Sequence, residues 1–133
     1  MAGYSGTPLE KKLGFKPGFT ARFINEPKMF RALLELPDSV AISNTKKTDL
    51  DLVIFFSASK DELAKQFPDL PAMIKKTGMI WISWPKKTSK LAGDLNENIV
   101  RELGLNAGVV DIKVCAIDEE WSGLKFVYRV TDR

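Results

Sequence analysis

Lys86 and Lys87, followed directly by Thr88 and Ser89, place two ammonium groups and two hydroxyls in one short loop. Lysine is a point charge with rotatable donors, and a hydroxyl adds a partner that donates or accepts, so this run suits an oxyanion such as a phosphate. The same run, with Lys90, also suits a solvated turn, because basic loop stretches are mostly surface charge. Acids placed for proton transfer are confined to Glu26 and Asp118-Glu119-Glu120. A general acid or base needs a shifted pKa and a defined geometry; without them such groups cap turns or stay hydrated. Trp121 carries a ring that stacks on a planar ligand or cation, or else staples a turn to the core. With Ser57, which opens a polar stretch after an apolar run, these residues give a candidate ligand-binding set of Glu26, Ser57, Lys86, Lys87 and Trp121. No catalytic residue is assigned.

Composition removes several chemistries. The chain has no histidine and one cysteine, Cys115. Ser-His-Asp and Cys-His nucleophile arrangements are therefore absent, as are an internal disulfide and a structural zinc site. No metal and no cofactor are expected. Cys115 lies mid-strand in Lys113-Val114-Cys115-Ala116, where a buried, inert thiol is favoured over a nucleophile. A net charge of +3 from 20 basic and 17 acidic residues is mild. Nucleic-acid association would have to use the dispersed pairs Lys46-Lys47, Lys75-Lys76 and Lys86-Lys87, a weak footprint. No apolar run approaches the roughly 20 residues that span a bilayer. The first residues, MAGYSGTPLEKKLG, lack the apolar centre of a signal peptide, so a cytoplasmic protein is expected.

The elements that hold these residues follow from periodicity and punctuation. Thr7-Pro8-Leu9-Glu10 reads as a capped start for a short helix over Pro8–Leu13, ended by Gly14. Tyr4-Ser5-Gly6-Thr7 before it is either a lid over the sheet edge or an arm packed on the body. Phe19–Asn25 alternates as a strand, and Val40–Ile42 is a short one. Pro27–Leu36 carries a helical stripe at Met29, Phe30, Leu33, Leu34 and Leu36 between two prolines. Leu50–Phe56 and Met79–Trp84 are nearly continuous in apolar residues, which is what burial on both faces demands. Trp81 and Trp84 differ by three positions and so point to opposite faces. Ser59-Lys60-Asp61-Glu62 and Asp94-Leu95-Asn96-Glu97 open helices, the second with a core face of Leu95, Ile99, Val100 and Leu103. A further turn or two is expected over Pro71–Lys76. Val109–Ile117, with Val110, Ile112, Val114 and Ala116 on one face, and Leu124–Val130 form a final hairpin.

Strands separated by helices pack as right-handed parallel crossovers. The expected architecture is α/β and Rossmann-like: a mostly parallel twisted sheet with helices on both faces and a C-terminal antiparallel hairpin. At 133 residues it is read as one domain, with 1–18 an N-terminal arm and short helix. The stretch DLVIFFSASKDELAKQFPDLPAMIKKTGMIWISWP, residues 51–85, resembles S-adenosylmethionine-dependent methyltransferases, trimmed at the front. That resemblance implies a glycine-rich turn after the first strand and an acid after the second. Here the first strand ends Asn25-Glu26-Pro27 and the second near Ser43-Asn44, which supply neither.

The segments GYSGTPLEKKLGFKPG at 3–18, WISWPKKTS at 81–89 and VDIKVCAIDEEWSGLKFVYR at 110–129 resemble a family of small bacterial proteins known only as a domain of unknown function. That resemblance implies a bacterial cytoplasmic protein and brings no activity with it. The function expected is a non-enzymatic binding or regulatory module, using a degenerate nucleotide-type cleft or its surface to engage a small anionic metabolite or a protein. The alternatives are a methyltransferase-like enzyme and, more weakly, a nucleic-acid-associated protein.

Overall fold

Two apolar runs make the middle of a six-stranded sheet. They form β3 (Leu50–Phe56) and β4 (Ile74–Pro85), which run parallel with Val53 opposite Ile80 and Phe55 opposite Ile82. β1 (Thr20–Ile24) pairs parallel to the other side of β3, and the two-residue β2 (Ala41–Ile42) pairs parallel to β1 at the edge. β6 (Trp121–Tyr128) is antiparallel to β4, and β5 (Val109–Ala116) is antiparallel to β6 at the opposite edge. The order is β2-β1-β3-β4-β6-β5. This is a computed structural model, and it describes residues 7–133.

The sheet separates two apolar layers. On one face α2 (Lys60–Gln66) and α3 (Glu97–Asn106) bring Leu63 and Val100 against Val53, Phe55, Ile80 and Ile82. On the other, α1 (Leu9–Leu13) and the segment after β1 bring Leu13 and Phe30 against Leu52, Ile54, Phe56 and Trp81. From Leu52 onward successive residues of β3 therefore enter different layers and all are buried, which is why that stretch shows no polar alternation. Trp81 and Trp84 fall on opposite faces, as their spacing predicts.

Helix ends follow the capping signals in part. Ser59 accepts from the Glu62 amide at 3.2 Å and Asn96 from the Ile99 amide at 2.9 Å. Gly14 ends α1 at φ 90°, a left-handed cap that suits glycine. Thr7 does not cap α1, which starts at Leu9; Glu10 instead accepts from the Glu35 amide at 3.0 Å and ties α1 to the segment after β1.

Three further local expectations differ from the structure. Pro27–Leu36 is not an α-helix but a turn followed by one 3-10 turn, Arg31–Leu33. Its apolar stripe is split: Phe30 is buried, while Met29 is 72% exposed. Seating Phe30 between Phe23 and Phe56 outweighs the weak local preference for helix. β4 begins at Ile74, ahead of the expected Met79, and Gly78 sits inside it. A Cβ on Gly78 would stand 2.9 Å from Leu50 O, so the glycine permits the close approach of β3 rather than a turn. The apolar row of β5 is not a core face: Ile112 is 57% and Val114 52% exposed, because a register shift between Asp111 and Lys113 breaks the alternation. The expected C-terminal hairpin is present, with β6 between β4 and β5 and β5 as the edge strand.

Candidate functional site

The carboxyl ends of β1, β3 and β4 and the start of β6 meet along one edge of the sheet, where ligands of open α/β sheets bind. The edge is knitted from end to end. Asn25 Nδ2 donates to Phe56 O at 3.3 Å, joining β1 to β3. The Ser57 amide donates to Ser83 O at 3.0 Å, joining β3 to β4. The Lys86 amide donates to Glu120 O at 2.8 Å, joining β4 to the hairpin turn. The five candidate residues thus lie along this edge in the order Glu26, Ser57, Lys86-Lys87, Trp121.

Their chemistry differs from one to the next. Glu26 forms a bidentate ion pair with Arg31, at 2.9 Å to Nε and 2.8 Å to Nη2. Hydrogen bonding to Glu26 raises the Arg31 pKa above its ordinary value. Ser57 is buried, donates to the Glu62 carboxylate and accepts from the Ser59 amide at 3.1 Å, so its hydroxyl organises the start of α2. Glu120 takes a hydrogen bond from Ser89 Oγ, and Ser89 Oγ in turn accepts from the Leu91 amide at 3.0 Å. Asp118 Oδ1 accepts from the Glu120 and Trp121 amides at 2.7 and 2.8 Å, closing the hairpin turn. Lys86 is half-buried and Lys87 exposed, and among the described residues neither ammonium has a hydrogen-bond or ion-pair partner.

Trp121 packs its ring edge-to-face on Phe56, with centroids 5.4 Å apart at 82°. It ends a ladder of such contacts that runs through Phe30 and Phe23 to Phe15, with centroids 4.9, 5.1 and 6.2 Å apart. Each pair contributes about 0.5–1.5 kcal/mol beyond its area burial. Trp121 therefore staples the turn while remaining half-buried at the edge.

Residues 91–94 cross beside the end of β3. Asp94 Oδ1 accepts from the Lys60 amide at 2.7 Å, and the Asp94 amide donates to Ala58 O at 3.2 Å. A Cβ on Gly93 would stand 1.9 Å from Ala58 O, so only glycine fits this crossing. Arg31, Glu62, Ser89 and Asp94 shape the edge but are outside the five candidate residues; the sequence marks Ser89 only as part of the basic loop, and Glu62 and Asp94 only as parts of helix starts. In the box Ser59–Glu62 the Glu62 carboxylate turns to Ser57 instead of the cap.

S-adenosylmethionine does not fit this edge on the residues present. Asn25 takes the left-handed conformation at φ 60° where a glycine turn would stand, and Pro27 lacks an amide donor. Phe30 fills the space between Phe23 and Phe56 beneath that turn. Ser43 after β2 accepts from the Lys46 amide at 2.9 Å and offers no carboxylate. Among the described residues no group of three His, Cys, Asp or Glu side chains is placed to hold a metal ion. No described helix is long and apolar enough to cross a membrane. Of the Tyr4-Ser5-Gly6-Thr7 segment, residues 4–6 lie outside the described residues.

Cys115 lies on the α1 face, partly buried. Burial pushes its thiol pKa up, and the nearby charges of Lys113 and Lys12 offset this only in part. Alkylation by iodoacetamide at pH 8 is expected to run slower than for free cysteine, and to speed up as the pH passes above the ordinary thiol range. A rate equal to or above that of free cysteine would show an activated thiol.

A family model described as "Protein of unknown function (DUF3052)" matches residues 28–130. No curated protein matches the chain. Among solved structures, a possible exported protein from Bordetella parapertussis is similar at a TM-score of 0.66 and 9% identity, over 92% of this chain and 66% of that one. The chain thus spans just under two-thirds of that protein's length. A SAM-dependent methyltransferase from Aquifex aeolicus is similar at 0.61 and 13% identity, over 87% and 85% of the two chains. A TehB-like SAM-dependent methyltransferase from Corynebacterium glutamicum is similar at 0.56 and 9%, over 96% and 91%. Identities this low establish the Rossmann-like, methyltransferase-like fold and nothing about activity.

Proposed function

Because the chain belongs to the family of proteins of unknown function DUF3052, its role has to be read from its own residues, and we propose that it is a non-enzymatic binding or regulatory module. One observation carries this reading: apart from the exposed Glu119 of the hairpin turn, the acids that shape the sheet edge are engaged. Glu26 is held by Arg31, Glu62 by Ser57, Glu120 by Ser89, and Asp118 and Asp94 by backbone amides. A carboxylate tied this way stabilises its loop and is not poised to move a proton to or from a substrate. What the edge offers instead is the cationic pair Lys86 and Lys87, on a turn fixed by the Lys86–Glu120 and Ser89–Glu120 bonds, with Trp121 on the other side of Glu120. That combination suits a small anionic metabolite, with Ser57 and Glu26 supporting the loops beside it. We place the protein in the bacterial cytoplasm, as a single domain over 1–133.

Thermal-shift measurements against nucleotides and phosphorylated metabolites test this directly. A ligand at about a hundred times its Kd adds ~2.7 kcal/mol and raises the midpoint by several degrees. Two ammonium contacts at the surface, from half-buried Lys86 and exposed Lys87, are worth about 1 kcal/mol each, so Lys86→Ala/Lys87→Ala is expected to weaken such a ligand by tenfold or more while leaving the free protein's midpoint unchanged. No shift with any compound, or an unaltered shift in the double variant, removes the metabolite reading. The methyltransferase-like alternative rests on the fold. Calorimetry with millimolar S-adenosylmethionine is expected to show no binding, and saturable heat would restore that alternative.

A further inference from the structure

A second concentration of positive charge lies about 13 Å along β6 from Trp121, four residues at ~3.3 Å each, on the face covered by α1. Lys113 on β5 and Lys125 on β6 are direct cross-strand partners. Like charges placed opposite one another in an antiparallel ladder destabilise it. Lys16 follows α1, and its charge acts on Lys125 as well; Lys12, on α1, acts with Lys113 on Cys115. Lys113 Nζ donates to Lys12 O at 3.1 Å, and Lys125 Nζ stands 3.7 Å from where a Cβ on Gly14 would lie. The cluster thus gathers at the C-terminal end of α1 from three parts of the chain.

Among the described residues no carboxylate pairs with Lys16, Lys113 or Lys125. The carboxylates on the same elements are engaged elsewhere: Glu10 with the Glu35 amide and Asp111 with Arg101 on the opposite face. The last carbonyls of α1 are also taken, Glu10 O by the Phe15 amide, Lys11 O by the Gly14 amide, Lys12 O by Lys113 and Leu13 O by Trp81 Nε1 at 2.9 Å. Lys125 Nζ has no hydrogen-bond or ion-pair partner among the described residues. Burial pushes the Lys125 pKa down, and the charges of Lys113 and Lys16 push it the same way. A half-buried ammonium with no acceptor, facing like charges, weakens the free protein and returns no structural contact.

We propose that Lys16, Lys113 and Lys125, in the field of Lys12, form a binding site for a small oxyanion of the phosphate class carrying two or more charges, separate from the sheet edge. Such an anion supplies the missing acceptor to Lys125, a counter-charge to Lys113, and cancels their mutual repulsion. Lysine suits this role, since its rotatable ammonium donates to a tetrahedral oxyanion without a fixed fork geometry.

The test is calorimetric titration of the full chain with inorganic pyrophosphate at low ionic strength, with sulfate as competitor and chloride at equal ionic strength as control. Lys125→Met is expected to weaken binding by about tenfold or more, and to leave the midpoint of the free protein unchanged or higher. Lys16→Ala, at an exposed loop position, is expected to weaken it severalfold without affecting the fold. Lys86→Ala/Lys87→Ala removes any heat that arises at the edge and is expected to leave the Lys125-dependent heat within about twofold. Absence of heat at millimolar pyrophosphate overturns the proposal, as does binding that Lys125→Met leaves undiminished. Loss of pyrophosphate binding in the Lys86/Lys87 double variant alone also overturns it, and assigns the anion to the edge. Loss in Lys125→Met alone upholds it, whatever the fate of the edge.

Discussion

Trp81→Ala is expected to destabilise the protein by about 4 kcal/mol, within the range for deleting a fully buried aromatic side chain. The indole is completely buried on β4, between strands β3 and β6, with Ile54 and Lys125 as its register partners. Its six-membered ring lies against Gly123, where a Cβ would stand 3.2 Å from Cε3. Its Nε1 also holds Leu13 O at 2.9 Å, fastening the end of α1 to the sheet. Trp81→Phe separates the two contributions. It keeps most of the ring but leaves a buried carbonyl without its donor, a loss of about 1–3 kcal/mol before any cavity is counted. Denaturant unfolding followed by far-ultraviolet circular dichroism measures both, since tryptophan fluorescence is itself changed by the substitution. If Trp81→Phe costs only a few tenths of a kcal/mol, the indole–Leu13 bond does not anchor α1.

The second large effect runs against helix propensity. Gly104 lies inside α3, where replacing glycine by alanine normally adds about 1 kcal/mol. A Cβ at this position would stand 2.1 Å from Phe126 Cε2 and 2.7 Å from Cδ2 and Cζ. The ring has nowhere to go: Phe126 is fully buried and packs edge-to-face on Phe67, with centroids 5.2 Å apart at 85°. Overpacking of this kind costs about 1–3 kcal/mol, and at the upper end where the neighbour is a confined ring. Gly104→Ala is therefore expected to destabilise by about 2 kcal/mol net. Adding Phe126→Leu removes the ring edge, so the two substitutions should couple by at least ~1 kcal/mol in a double-mutant cycle. A stabilising Gly104→Ala would mean that α3 stands further from β6 than the structure places it.

Both effects come from the same design feature, the close approach of helices to the strand that the hairpin inserts beside β4. In that position β6 has neighbours on both sides, and its residues Leu124 and Phe126 are buried under α3. β5, left at the edge, exposes Ile112 and Val114 but carries a register shift and Lys113, features that discourage edge-to-edge pairing.

The central layer of the fold was legible in the residues. Continuous apolar runs before Ser57 and Pro85 report burial on two faces, and burial on two faces requires parallel strands covered by helices. The gathering of Glu26, Ser57 and Lys86 along one edge follows from that direction, and the antiparallel return of β6 adds Trp121. Periodicity also placed Trp81 and Trp84 on opposite faces, because strand geometry is local.

Where local pattern and distant contact compete, the residues by themselves mislead. Met29, Phe30, Leu33 and Leu34 have helical spacing, yet the slot between Phe23 and Phe56 takes Phe30 alone and the segment forms a single 3-10 turn. The alternation of β5 reads as a core face until the shift before Lys113 turns it outward.

What the sequence determined, then, was the two-faced burial of the central strands and the chemistry it leaves out: no histidine, one cysteine, no glycine turn after β1. Only the tertiary structure decided which partner each polar group takes. It sent Glu62 to Ser57, Glu120 to Ser89 and Glu10 to the Glu35 amide, and it brought Lys16, Lys113 and Lys125 together across more than a hundred residues of chain. Strand and helix periods are set by neighbouring residues, whereas hydrogen-bond and charge partners are set by which elements the packed core brings face to face.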